Sequence, residues 1–417
     1  MAYLCLILYA AAIYLRPAEI WFYFPFVELI AAVSAVVCGI TYLVKPRKFW
    51  DLPHDWFVVG FWIVIVLSNL SWGWFGGAAW GFTEFLKVAF YYFLLRFAIR
   101  EQWQFMTFVA AVIAFNVILA ASGIVQFHGA VGLGGAPLLR DGRIRATGIF
   151  GDPNDLAFTL VMVIPFLLYA LAEKAWSVPR RAAAAVAFAA LVVATMYTSS
   201  RGGVLGLAAV VGGFAMARLT RVRRIVVVAA LAVVVLAWGA IRIGMPGTPE
   251  RESASLRIHA WAAGLTMLKT DPLLGTGYHR YDEFHEIIAH NSFVHVFAEL
   301  GLVGAFFFVG MWYWFVKGLV MCPRPPGDTG LAIEVWKPAL LLSFLGIAVM
   351  GWFLSRQYVI YPYTLLGLGA AYVAVAKGSG SNVDLKISVR DAASIVALVV
   401  AGVSLVYVLV RLLQYRA

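Results

Sequence analysis

Charge is scarce in this 417-residue chain. Lys, Arg, Asp and Glu make up 13% of it, while hydrophobic residues make up 63%. A soluble domain carries about 25% charged residues, so this chain cannot cover a water-soluble globule with polar surface. Cysteine is scarcer still. Cys5 and Cys38 fall in hydrophobic segments and Cys322 in a connection, without CxxC or metal-ligand spacing. That excludes a disulfide framework and a cysteine metal site. A basic leader with a small-residue cleavage site is also missing at Met1, so the first segment is expected to stay. The strict alternation of β-barrel spans is absent, as are internal repeats, low-complexity runs and a separate soluble domain. The GSGSN stretch at 378–382 is a flexible connector.

What remains is a succession of apolar runs, each about 17–25 residues long and able to cross a hydrocarbon core as a helix. Spans are expected near 2–15, 21–44, 56–72, 80–98, 103–126, 154–172, 182–198, 203–217, 225–243, 291–316, 338–354, 358–376 and 391–411. The first is short enough to dip only into the interface. The fold class is therefore all-α: one polytopic membrane domain over 1–417 with about 12–13 transmembrane helices.

The net charge of +11 is dealt out among short connections, which speaks for topology and against a nucleic-acid face. Alternate connections (45–55, 96–102, 173–181, 218–224, 317–337 and 377–390) hold 18 Lys and Arg, and the opposite set holds 11. The positive-inside rule puts the first set in the cytoplasm. The external loops 128–150 and 244–290 and the SSRGG turn then share the other face, and eight of its 11 cations lie in these three pieces. Cations clustered against that bias point to an anionic ligand, or to lipid headgroups and acidic loop residues.

Several short pieces could do chemistry on that face. In RIRATGIFGDPNDLAF, Asp152 is a good N-cap, Pro153 suits the first helical position and Asp155 the third, so both carboxylates look committed to a helix start. Arg143 and Arg145 precede that helix, and their guanidinium forks could grip phosphate beside its N-terminus. Arg201 stands at the outer end of a span before two glycines, which let a backbone or ligand approach; it either snorkels to the interface or coordinates a lipid-linked phosphate. In the large loop, Ser253 or Ser255 can cap a helix through LRIHAWAAGLTMLKT, ended by Pro272. Arg257 and Trp261 share one face of it. The helix lies on the membrane surface or places Arg257 over a substrate entrance. LLGTGYHRY is a glycine-punctuated turn with Gly275, Gly277 and Tyr278, after which EIIAHNSFVHVF re-enters the bilayer with His290 and Asn291 at its mouth. His290 is a hydrogen-bonding group or, beside these arginines, a base. His279, His285, His290 and His295 are spaced by 6, 5 and 5, which does not line one helical face as metal ligands would. No DxD-like pair remains free, so arginines replacing a divalent cation fit better.

The blocks RATGIFGDPNDLA, SSRGG and SLRIHAW…DPLLGTGYHRY…AHNSFVHVFAELGLVG, over roughly 145–304, resemble the O-antigen ligase and polymerase (Wzy-type) superfamily of bacterial envelope glycosyltransferases. The last block is the most specific, and the flanking 100 residues on each side add only compatible spans. The resemblance implies a GT-C-like fold in the inner membrane, with a helical periplasmic loop over a cavity that receives a glycan on undecaprenyl diphosphate. It also implies that Arg201, Arg257, Arg143 and Arg145 hold the donor pyrophosphate and that His290 activates the acceptor, supported by Asn291, Trp261, Gly275, Gly277 and Tyr278. Such ligases usually have twelve spans, one fewer than expected here.

From these parts follows a metal-independent, cofactor-free transfer. His290 takes a proton from an acceptor hydroxyl, which attacks the anomeric carbon with inversion, while arginines stabilise the leaving lipid diphosphate. The acceptor is lipid A core in a ligase, another repeat unit in a polymerase, and protein in a related branch; ligase is favoured narrowly. The competing class is a small-anion transporter, since some relatives are linked to bicarbonate. Transport predicts charge deep in several spans, whereas Glu84 and Lys87 form the only clear intramembrane pair, across one turn.

Overall fold

The computed structural model describes residues 1–16, 26–44, 51–174, 176–227, 231, 249–322, 333–378 and 385–414. No strand occurs among them. The helices are α1 (Ala2–Leu15), α2 (Phe26–Val44), α3 (Pro53–Leu70), α4 (Phe75–Ala98), α5 (Gln102–Gly129), α6 (Pro153–Ala172), α7 (Val178–Tyr197), α8 (Arg201–Arg218), α9 (Pro249–Thr270), α10 (Ser292–Met321), α11 (Ile333–Gly351), α12 (Ile360–Gly378) and α13 (Val389–Gln414). Residues 221–227 are also helical. The expected span at 225–243 lies mostly outside the described residues; the other twelve each coincide with a helix. Among the described residues, α3, α5, α6, α7, α10 and α13 are long and apolar enough on their own to cross a membrane. The protein is an all-α, multi-pass membrane protein.

α12 is the central pillar, buried from Tyr361 through Ala376. Its small residues admit neighbours that a larger side chain would push away. A Cβ on Gly367 would stand 2.6 Å from Leu95 of α4, and one on Gly369 would stand 2.4 Å from Phe315 of α10. α11 packs against α6 and α8 in the same way, with Gly206 and Gly346 facing each other across the α8–α11 contact. These contacts bring the first turns of α6 and α8 and the loop after α11 to one end of the bundle. Some buried polar groups within the bundle pair with one another, as hydrocarbon favours: Thr159 donates to Asn116 at 2.9 Å, and Tyr14 and Tyr91 meet the Thr364 hydroxyl at 3.1 and 3.2 Å.

α10 is kinked at Gly301 (φ 63°). The backbone groups freed there are taken up by the 272–277 turn: Thr276 and Gly277 donate to the Ala298 and Glu299 carbonyls at 3.1 and 2.9 Å, and Leu302 donates to that of Pro272 at 2.8 Å. A Cβ on Gly275 would lie 2.3 Å from the Glu299 carbonyl carbon, so glycine is what lets this turn dock.

Three sequence expectations change. α9 begins at Pro249, so Ser253 and Ser255 lie inside the helix instead of capping it; proline suits a first helical turn, and the polar run after it propagates the helix. α9 is also docked onto α10 and α13 and is not simply resting on a membrane surface. Finally, Glu84–Lys87 is a one-turn pair at 2.8 Å, as expected, but it is not the only clear one. His295 faces Glu299 at 3.0 Å inside α10, Arg96 pairs with Asp51 near the end of α4, and Lys317 of α10 pairs with Asp391 of α13. Tertiary packing, which local spacing does not report, joins the last two.

Candidate functional site

At the end where α6, α8 and α10 begin, the chain gathers charge. α8 starts sharply: Ser199 is held at φ 51°, Ser200 caps the helix by accepting from the Gly203 N–H at 3.1 Å, and Arg201 is its first residue. The following glycines admit other helices. A Cβ on Gly203 would lie 2.8 Å from Ala157 of α6, and one on Gly202 would lie 3.5 Å from Phe353. Arg201 itself is half-buried and has no hydrogen-bond or ion-pair partner among the described residues.

Arg257 comes from α9. One turn on, Trp261 is buried and donates its indole N–H to the Ala289 carbonyl at 2.8 Å, and the Tyr281 hydroxyl donates to the Ala260 carbonyl. These bonds fix the face that carries Arg257. It too is half-buried without a partner among the described residues. Its pKa is pushed down, first by burial and then by the Arg201 charge beside it. Two neighbouring guanidiniums with no carboxylate between them form an unfavourable pair that an anion would relieve.

His290 sits between Ala289, whose carbonyl holds Trp261, and Asn291, the N-cap of α10. The Asn291 side-chain oxygen accepts from Phe293 and Val294 N–H groups at 3.0 Å each. The His290 backbone is left-handed (φ 48°), an uncommon conformation for a residue other than glycine. Burial, then Arg257 and Arg356, push its pKa down to about 4; Asp152 works the other way and His295 adds to the lowering. The imidazole is therefore neutral near pH 7 and able to accept a proton. Its Nδ1 and the Asn291 side-chain nitrogen are buried without partners among the described residues.

Arg356, from the loop between α11 and α12, is the residue that sequence reasoning missed. Its segment is stitched to the start of α10. The Asn291 N–H donates to Ser355 Oγ at 3.3 Å, Ser292 Oγ donates to the Leu354 carbonyl at 2.7 Å, and the Arg356 N–H donates to Ser292 Oγ at 2.9 Å. The Arg356 guanidinium pairs with Asp155 through Nε, and the Tyr361 hydroxyl donates to the same carboxylate oxygen at 2.7 Å. Burial works against the Arg356 charge, but Tyr361, Asp155 and Asp152 overcome it and raise its pKa. The expected helix start at Asp152, Pro153 and Asp155 is present, and Arg356 engages the Asp155 side chain in addition. Asp152 caps α6, accepting from the Asn154 N–H at 2.7 Å; Asp155 anchors an arginine 201 residues away. The only sequence signal was that Arg356 belongs to the sparse set of external cations.

The other expected residues lie around this centre. Arg143 donates to the Thr198 carbonyl at 2.8 Å and to Asn154 at 3.3 Å, tying the 128–150 loop to the starts of α6 and α8. The Arg145 side chain reaches back to the Pro137 carbonyl at 3.4 Å within its own loop. Gly275 and Gly277 belong to the turn that docks on the α10 kink, and Tyr278 packs edge-on against Tyr358 there. The four histidines go separate ways: His279 lies against Trp80, His285 bonds within its own turn, His290 faces the arginines and His295 faces Glu299.

Below Arg356 opens an apolar cavity of about 620 Å³ between α10, α11, α12 and α13. Ser292, Arg356 and Gln357 stand at one end, Lys317 lines it farther along α10, and Phe308, Trp312 and Phe344 are among the side chains between. The arrangement is thus a set of arginines beside a neutral imidazole, adjoining a space suited to hydrocarbon.

Residues 185–309, from within α7 into α10, match the Wzy_C family model, described as O-antigen ligase. The resemblance in the sequence is borne out over that stretch, which contains Arg201, Arg257 and His290. Among curated proteins none matches the chain. The match supports an O-antigen ligase or polymerase type of function, a glycosyltransferase-like activity on glycan donors and acceptors in a membrane setting.

Proposed function

With the O-antigen ligase stretch at 185–309 as premise, we propose that the protein is a ligase transferring a glycan from undecaprenyl diphosphate to a hydroxyl of lipid A core, at the periplasmic face of the bacterial inner membrane. The observation that carries this reading is the pair Arg201 and Arg257, half-buried, mutually repelling and without an acidic partner among the described residues. A diphosphate would satisfy both through charge-assisted hydrogen bonds. Its polyprenyl chain would enter the apolar cavity beside Arg356. His290 then takes the proton of the acceptor hydroxyl as that oxygen attacks the anomeric carbon; the glycosyl–phosphate bond breaks, and the electron pair leaves on a diphosphate held by arginines. No metal is needed for charge neutralisation in this scheme. Arg143 and Arg145 serve as outer members of the same cationic rim, and Asn291 offers its unpartnered side-chain N–H groups to the reacting sugar.

A polymerase or a protein-glycosylating ligase would share this donor chemistry. Reconstitution with lipid-linked glycan, offered lipid A core and a second lipid-linked repeat side by side, decides among them. Extension of lipid A core supports the ligase, extension of the repeat makes the enzyme a polymerase, and extension of neither overturns both. Full turnover is expected after exhaustive chelation. Small-anion transport gains one observation, the buried His295–Glu299 pair. That carboxylate is already satisfied, however, by His295, the Tyr281 N–H at 3.2 Å and the Tyr358 hydroxyl at 3.0 Å. Uptake of bicarbonate by proteoliposomes that transfer no glycan would favour transport.

A further inference from the structure

We propose that Arg356 is a third phosphate-binding arginine, taking the phosphate nearest the lipid, and that Asp155 and Tyr361 hold it in register for that contact. The proposal rests on the donor reading above and adds a residue outside the 185–309 stretch. A guanidinium has five N–H donors in a fixed plane. In Arg356, Nε is committed to Asp155 and Nη1 donates to the Ser355 carbonyl at 2.8 Å. Nη2 has no hydrogen-bond acceptor among the described residues, and the Asp152 carboxylate stands 4.0 Å away. Its side chain is only 15% exposed. Nη2 is not among the fully buried unpartnered atoms, so the one edge of the guanidinium without a hydrogen bond is the edge a ligand can reach.

Position supplies the rest. Arg356 lines the apolar cavity together with Ser292 and Gln357. Arg201 and Arg257 belong to α8 and α9, away from the cavity wall, whereas Arg356 stands on it. With a lipid tail in the cavity, the first phosphate after the hydrocarbon meets Arg356 and the second meets the other two.

The test uses the full-length purified protein and three probes: polyprenyl monophosphate, polyprenyl diphosphate and inorganic pyrophosphate. For Arg356→Met, affinity for the monophosphate is expected to fall about tenfold or more, the size of one lost charge-assisted contact. The fall for inorganic pyrophosphate should be smaller. Arg201→Ala should reverse that order. Arg356→Lys keeps the charge and the partner Asp155 but has a single head in place of the fork, and should fall about threefold for the monophosphate. Wild-type monophosphate affinity in folded Arg356→Met overturns the proposal. Should the methionine variant fail to fold, the lysine variant decides: unaltered monophosphate affinity in it is equally fatal. Wild-type protein that binds none of the probes overturns the donor reading itself, so the two failures are distinct.

Discussion

Cations at the two ends of the bundle are treated differently. At the end where α4 finishes, Arg96 is buried and pairs with Asp51, with the Asp55 carboxylate at 3.9 Å; Tyr92 donates to Asp55 at 2.8 Å, and Lys377 of α12 approaches Asp51 at 3.9 Å. Lys317 is held by Asp391, which also accepts from Tyr313 and Ser388. At the opposite end Arg201 and Arg257 have no such partners among the described residues, and Arg356 is only partly engaged. Burying a charge with its partner is how a membrane protein joins helices, and burying one without a partner raises its free energy unless a ligand completes it. The first end is built as scaffold, and the second is where we propose the site.

The largest expected effect separates chemistry from holding. His290→Ala should lower transfer by about a hundredfold to ten-thousandfold, the usual contribution of a general base, while donor affinity stays near wild type. Single-turnover transfer measured beside donor binding checks both halves. Normal turnover in the variant removes His290 from the mechanism.

Next comes the contrast between the two ends. Arg201→Ala and Arg257→Ala should each weaken donor binding by about tenfold to a hundredfold, at about 1.5–3 kcal/mol per charged contact, with melting temperature held or slightly raised because a repulsion is removed. Arg96→Met should do the reverse. Stranding the buried Asp55, while Asp51 keeps only Lys377 at 3.9 Å, costs about 3–5 kcal/mol of stability, with donor affinity unchanged in whatever protein remains folded. Parallel thermal unfolding and binding curves read the contrast; equal effects of the two kinds at both ends would dissolve it.

Legibility in the sequence divides along a related line. The helices were readable because each is a long apolar run, and their ends fell near the expected positions. Arg201, Arg257 and His290 were readable from charge on one face and from motif resemblance. Asp155 was not, because the third position of a helix already explains an acidic residue locally and so hid its bond to Arg356. Ser253 and Ser255 misled for a similar reason: they are good caps, but the helix begins earlier, at Pro249. The kink at Gly301 depends on a turn some 26 residues upstream docking against it, and a glycine within a span does not announce which backbone will approach.

The smallest effect is a displacement on the pH axis, and it sharpens the comparison most finely. His290 is faced by Arg257 of α9, Arg356 of the α11–α12 loop, Asp152 at the start of α6 and His295 of α10. With its pKa pushed down to about 4, the active neutral form predominates from pH 5 upward. kcat/KM should therefore be flat there and fall about tenfold per unit only below about pH 4. Burial is the largest cause of the lowering and survives substitution, so Arg257→Gln should remove only the second cause. Losing a positive neighbour makes the imidazolium easier to form. The acid limb must then move to higher pH, by a fraction of a unit to about one unit, whatever the overall loss of rate from weaker donor binding. Arg96→Met, at the far end, should leave the limb where it is. A limb that stays in place in Arg257→Gln would mean that the charge of α9 does not reach the imidazole, and the arginines would then bind the donor without tuning the base.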